Sequence, residues 1–276
     1  MLRLDRLARE RLADDPYPHI VFDDAFDRMD DLNAAFPSKD RFGPTIRMDG
    51  DLTAGDQEYQ ELMMQSSAYR ALHRQVYSAE FIRAFLELFR SPIERAHKNG
   101  ELLADPFSLR IVAEPVENRV GRFFVDAREA FLYPRFDIGY GSVGYGVDNG
   151  GRGVHVDNLP RLISILVFLN TPQAMVGGTH RLYGLRGDRP VLKKTVHPKA
   201  NLLIASLQSN RAFHDVEPIA SIDGERRAFY MAVSCSKPIW KKEMHRRLFH
   251  LNKNRYDPPP DSNIMNRLRR LFPTFR

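Results

Sequence analysis

After Asp105-Pro106 the apolar residues of this chain change period, and that change limits the fold more than any other feature. Before it the spacing is helical. Leu72, Val76, Phe81, Phe85 and Leu88 recur at three to five residues and predict one helix over 69–89. Leu2, Leu4, Leu7 and Leu12 share a helical face, 27–36 reads as a helix with Asp27 as its N-cap, and 92–98 reads as another. Tyr17-Pro18-His19-Ile20-Val21-Phe22 reads as a strand, and 38–58, polar and glycine-bearing, as a loop. Beyond Asp105-Pro106 the segments are short, β-branched and aromatic, with glycine or proline between them. They fall at 108–113, 130–138, 154–157, 162–169, 180–183, 191–196, 202–206 and 226–234. Helices first and strands second is an α+β order, and this many short strands imply an antiparallel barrel or jelly roll.

The expected organisation is a helical region over 1–105 packed on the core, a β core over 106–236 and a basic extension over 237–276. The net charge of +6 is uneven: residues 236–276 hold eleven Lys or Arg against Glu243, Asp257 and Asp261, so the rest of the chain is slightly acidic. Basicity confined to one end argues against a nucleic-acid-binding body. Asp257-Pro258-Pro259-Pro260-Asp261 breaks regular structure, and Ser262 can cap a last helix with Ile264, Met265, Leu268, Leu271 and Phe272 on one side. Trp240, Phe249 and Tyr256 among these basic residues allow contact with RNA or an anionic membrane; a solvated tail packed on the barrel or on a second subunit is the preferred reading. No run of apolar residues spans a bilayer and the first residues, Met1-Leu2-Arg3-Leu4-Asp5-Arg6, lack a secretory core, so a cytoplasmic location is expected. Cys235 is the sole cysteine, which excludes an intramolecular disulfide and a thiolate zinc site. Any metal must therefore be bound by His, Asp and Glu.

His155-Val156-Asp157 places an imidazole and a carboxylate on one face of an extended segment. The pair alone is weak evidence, since nine His in a chain of this length and composition give about 0.7 His-x-Asp by chance. Its setting is stronger. It follows a glycine-rich loop, Gly139 to Gly153, precedes the apolar stretch Ile163 to Leu169, and no other His has an acidic residue two positions on. His214, in Ala212-Phe213-His214-Asp215-Val216, is the best third ligand. Two His and one carboxylate on one face of an ion leave positions open and suit non-haem iron(II) that activates O2. Arg226 and Arg227 lie on the following strand and point to opposite faces, so one at most faces inward. An inward cation needs an anionic partner, and a guanidinium matches a carboxylate with two parallel hydrogen bonds.

From about residue 138 to 233 the chain resembles the iron(II)/2-oxoglutarate-dependent dioxygenases, in particular their prolyl-hydroxylase-like branch. The resemblance rests on an ordered set: His155-Val156-Asp157-Asn158, the strand end Val167-Phe168-Leu169-Asn170, Gly177-Gly178-Thr179-His180-Arg181-Leu182-Tyr183, then His214-Asp215-Val216-Glu217-Pro218, and Arg226 twelve residues beyond His214. Tyr17-Pro18-His19-Ile20-Val21 is similar to the family's opening strand. Thr179-His180 departs from the family's acidic-then-apolar pair.

The resemblance implies a double-stranded β-helix core behind an N-terminal helical layer, iron on His155, Asp157 and His214, and 2-oxoglutarate paired through its far carboxylate with Arg226. The family places a hydroxyl two residues after that arginine; Ala228 stands there, so Tyr140 is the candidate for the missing donor and Arg227 the reserve cation. It implies O2-dependent hydroxylation, with succinate and CO2 released. A carboxylate at Asp157 argues against chlorination, because the family's halogenases have a small residue there. The glycines before His155 suit a lid, with Tyr145 or Arg152 against substrate. A small-molecule substrate is expected, and a homodimer fits. A jelly-roll binding protein without turnover, or an oxygenase acting on a protein or RNA-associated substrate through the basic tail, is the alternative.

Overall fold

The computed structural model describes residues 1–42, 51–116, 129–142 and 153–242. Six helices precede most of the strands: α1 (Leu4–Leu7), α2 (Met29–Ala34), α3 (Gln57–Gln65), α4 (Ser67–Val76), α5 (Ala79–Leu88) and α6 (Arg90–Lys98). The sequence predicts one helix over 69–89; it is two, α4 and α5. Ser78 causes the break, because its side chain accepts a hydrogen bond from the Phe81 amide at 3.1 Å and so caps a new helix. Asp27 is not the cap of α2; Arg28 holds that position. The segment read as loop, 38–58, contains a short strand over Asp51–Thr53 and the first two residues of α3, whose Tyr59, Leu62 and Met63 are buried at helical spacing just beyond it.

The large sheet runs β1 (His19–Phe22), β9 (Leu202–Leu207), β5 (Arg161–Phe168), β12 (Arg226–Cys235), β4 (Phe131–Gly141) and β2 (Asp51–Thr53), with β3 (Arg110–Ile111) parallel to β4. A second sheet orders β10 (Phe213–Val216), β7 (His180–Arg186) and β8 (Arg189–Val196); β11 (Ser221–Asp223) pairs with β6 (Gln173–Val176). Two mainly antiparallel sheets meeting across a shared interior make a jelly-roll type fold.

Strand alternation divides the large sheet between two environments. Phe136, Ile138 and Tyr140 of β4, with Phe229, Met231 and Val233 of β12, join the main core with Tyr69, Phe81 and Phe85 of the helices. The residues between them face the second sheet. Leu166, Phe168, Leu202, Ile204 and Ala228 form an inner cluster with Val196 of β8.

Gly139-Tyr140-Gly141 belong to β4, although the sequence reads as loop from Gly139 onward. The sheet needs glycine at 139, since a Cβ there would stand 2.2 Å from the Tyr230 ring. The expected lid residues Tyr145 and Arg152 lie outside the described residues, as do the expected last helix, Phe249 and Tyr256. Trp240 does not serve as an exposed stacking surface. It is fully buried, and its indole N–H donates to the Arg161 carbonyl at 2.8 Å. Among the described residues no helix is long and apolar enough to cross a membrane.

Candidate metal centre and its surroundings

The stretch read as a strand over 154–157 makes one isolated bridge, in which His155 and His214 exchange both backbone hydrogen bonds, at 3.0 and 2.9 Å. That pairing sets the two side chains opposite each other, with ring centroids 4.6 Å apart. Asp157, two residues on, turns to the same side. One ligand atom from each of His155, Asp157 and His214 lies within 4.8 Å of the others, and Asp157 Oδ1 is 4.0 Å from His214 Nε2.

The ring orientations suit metal binding. His155 Nδ1 sits 2.8 Å from the Gly153 carbonyl and His214 Nδ1 sits 2.9 Å from that of Ala212. A carbonyl can only accept, so each Nδ1 carries the proton and each Nε2 keeps its lone pair for an ion. The Ser164 hydroxyl donates to Asp157 Oδ2 at 2.5 Å, which leaves Oδ1 facing His214. Burial works to raise the Asp157 carboxyl, but Arg161, His214, His155 and the Ser164 hydroxyl outweigh it and hold the group ionised far below the usual carboxylate range. A carboxylate with two imidazoles and no thiolate is the donor set of non-haem iron(II).

Arg226 lies on the inner face, 1% exposed, with Nη2 donating to the Tyr230 hydroxyl at 2.9 Å and Nη1 to the Gly178 carbonyl at 3.3 Å. Arg227 lies on the other face. It bonds Glu225 at 2.7 Å, donates to the Asn33 carbonyl at 3.1 Å and stacks over Phe36. Tyr140 pairs with Arg227 in register and shares its face, where its ring packs on Phe42 at 5.5 Å. The structure therefore does not bring Tyr140 together with Arg226. The hydroxyl beside Arg226 belongs to Tyr230, four residues along the same strand and hence on the same face. That spacing was available in the sequence.

His180 is the other residue that sequence reasoning passed over. Its ring centroid is 5.6 Å from that of His214, and its Nδ1 is buried with no hydrogen-bond partner among the described residues. Burial, then His214 and Arg226, lower its pKa well below the usual imidazole range, so the ring is neutral. The signal was the imidazole at a position where the resemblance expects an apolar side chain. The Tyr17 hydroxyl is likewise buried without a partner, and burial and then the Asp157 charge keep it protonated.

Beyond the ligands, Asp215 fixes strand β10. Arg181 grips it with two hydrogen bonds of 2.8 and 2.7 Å, and the Tyr183 hydroxyl donates to it at 3.0 Å.

No family model matches this sequence, and no curated protein does. Solved structures do. The chain is similar to prolyl 4-hydroxylases. A Phytophthora capsici prolyl 4-hydroxylase aligns at 18% identity and TM-score 0.44 over 85% of this chain and 66% of that one. A Pseudomonas putida prolyl-4-hydroxylase aligns at 15% identity and TM-score 0.45 over 84% of this chain and 96% of that one. A Burkholderia pseudomallei oxidoreductase of the 2OG-Fe(II) oxygenase family aligns at 15% identity and TM-score 0.34 over 62% and 60%. These identities and TM-scores are low.

Proposed function

We propose that this chain is an iron(II)- and 2-oxoglutarate-dependent oxygenase that hydroxylates an unactivated carbon of a small-molecule substrate. The observation that carries the reading is the His155–Asp157–His214 cluster, with both imidazoles turned by carbonyls so that Nε2 faces the shared space. The buried polar atoms fit the cosubstrate as well as the metal. Arg226 and Tyr230 offer donors to a carboxylate at one end of the inner face. The His180 ring stands 5.6 Å from that of His214 and feels the Arg226 charge as well, and its Nδ1 is buried with no hydrogen-bond partner among the described residues. When bound, iron(II) with 2-oxoglutarate and O2 supplies an oxidant that hydroxylates a C–H bond, with succinate and CO2 as co-products.

The chain's own contribution is placement. His155, Asp157 and His214 hold the ion, and Ser164 orients the Asp157 carboxylate. Arg226 takes the far carboxylate of 2-oxoglutarate. Leu166, Phe168, Val196, Leu202, Ile204 and Ala228 form an apolar wall around it, which keeps water from competing for those donors.

Purified protein given iron(II), 2-oxoglutarate and O2 is expected to form succinate slowly without added substrate, and the Asp157→Ala variant is expected to form none. A folded wild-type protein that binds iron(II) and consumes no 2-oxoglutarate contradicts the proposal.

A further inference from the structure

Arg161 faces the same interior as the metal cluster, where its charge helps to keep Asp157 ionised. Simple alternation from Ser164 would send residue 161 outward. A register shift between Val233 and Ser234 prevents this: Leu162 and Ile163 both enter the outer core, and Arg161 comes to stand opposite Ser234. Ser234, Ala232, Tyr230, Ala228 and Arg226 alternate along the inner face of β12, so Arg161 belongs to that face. The charges that act on it agree, since Asp157, Arg135, Asp137 and Tyr133 all face inward.

The order along β12 separates two ends. Arg226 lies at one end. Ser164, bonded to the Asp157 ligand, lies opposite Ala232, and Arg161 follows opposite Ser234. Across β12, Arg135 of β4 also lies opposite Ala232. Two guanidiniums thus rise from the strands flanking β12, roughly 10 Å apart at the backbone. The floor between them is made only of Ala232 and Ser234.

The two cations differ in how they are met by carboxylates: the Asp157 and Asp137 charges act on Arg161 without a hydrogen bond or ion pair to it. Arg135 is paired with Asp137 at 2.6 Å. The Arg161 guanidinium has no hydrogen bond or ion pair among the described residues. Protein atoms crowd it enough that burial, against the pull of the Asp157 charge and with the help of Arg135, brings its pKa down, yet the residue keeps an intermediate exposure. A crowded cation that solvent still reaches, with no carboxylate in direct contact among the described residues, is costly to the empty protein and is relieved by an incoming anion.

We propose that Arg161, with Arg135 beside it, binds an oxyanion of the substrate, a carboxylate or a phosphate, at the end of the inner face remote from Arg226. The substrate is then an anionic small molecule whose reacting carbon lies over the metal cluster while its charged group is held by Arg161. Calling this anion the substrate's rests on the oxygenase reading; the anion site itself does not.

The test is titration of the full-length protein with inorganic phosphate and with acetate, followed by NMR of the probe, in the presence of saturating 2-oxoglutarate to occupy Arg226. At least one probe is expected to bind the wild type, with a dissociation constant raised at least about tenfold in Arg161→Gln, less in Arg135→Gln, and unchanged in the exposed control Arg189→Gln. Tighter phosphate identifies a phosphoryl group and tighter acetate a carboxylate. Absence of binding of both probes, or equal binding by wild type and Arg161→Gln, overturns the proposal. If Arg161→Gln does not fold by circular dichroism, unchanged binding in Arg135→Gln overturns it instead. Iron and 2-oxoglutarate binding recorded on the same samples separates the two claims. Loss of phosphate or acetate binding in Arg161→Gln supports the anion site even if the wild type binds neither iron nor 2-oxoglutarate.

Discussion

His155 and His214 face each other across a single antiparallel bridge, their ring centroids 4.6 Å apart and each Nδ1 aimed at the carbonyl two residues earlier in its own chain segment. The backbone pairing sets the distance between the rings, and the Gly153 and Ala212 carbonyls set the tautomer of each. One consequence concerns Ser164, which reaches the third ligand. Ser164→Ala removes the hydroxyl that orients Asp157, and groups in this role typically contribute 10–100-fold to metal affinity. A loss of about tenfold in iron(II) affinity with unchanged circular dichroism is expected; equal affinity in wild type and variant would remove Ser164 from the account.

The two arginines at the start of β12 give opposite expectations. Arg226→Lys keeps a charge but loses the fork, and is expected to raise the 2-oxoglutarate concentration needed for half-saturation about tenfold or more. Arg227→Ala removes contacts to Glu225, Asn33 and Phe36 on the other face, so it lowers stability by about 1 kcal/mol and leaves 2-oxoglutarate binding unchanged. A cosubstrate defect in Arg227→Ala alone would mean that the strand register is off by one residue.

How much of this the sequence revealed differs from element to element. β5 and β12 were legible because they are long and strongly apolar. The ligand set was legible because His-x-Asp and a later His are local signals that survive any error in strand boundaries. β2, β6 and β11 were not, since strands of three or four residues are too short to carry usable alternation. Tyr140 was expected to reach Arg226 from a neighbouring strand; it does lie on the neighbouring strand, but its register with Arg227 puts it on the opposite face. His180 and Arg161 needed the fold. The first becomes a site residue only when β7 pairs with β10, and the second only when the register shift on β5 turns it inward.

Phe229 joins the sheet to the helices, with its ring 5.2 Å from Phe136, 5.8 Å from Tyr69 and 6.1 Å from Phe26. Phe229→Ala is expected to cost about 3–5 kcal/mol in denaturant unfolding. A cost under about 1 kcal/mol would show that the helices contribute little to holding this sheet.

Asp51 gives a pH dependence away from the metal ligands. Burial, then the neighbouring Asp137, push its pKa up to about 7. The unfolded chain ionises this group near pH 4, so between pH 4 and 7 the unfolded state gives up the proton that the folded state keeps. Stability contributed by the neutral form is therefore lost as pH rises through that window and stays low above it. Asp51→Asn is expected to stabilise the protein at pH 8 by about 2–4 kcal/mol and to have little effect at pH 4. Equal stabilisation at both values would place the effect in packing and not in ionisation.

The central claim is that His155, Asp157 and His214 hold iron(II) in a form that accepts 2-oxoglutarate. Anaerobic titration with iron(II) and then 2-oxoglutarate, monitored for the weak visible charge-transfer band of the chelate, tests it most directly. A band that saturates at one iron per chain and is absent in His155→Ala is expected. A folded wild-type protein that gives no band, or a band that persists in His155→Ala, would contradict it.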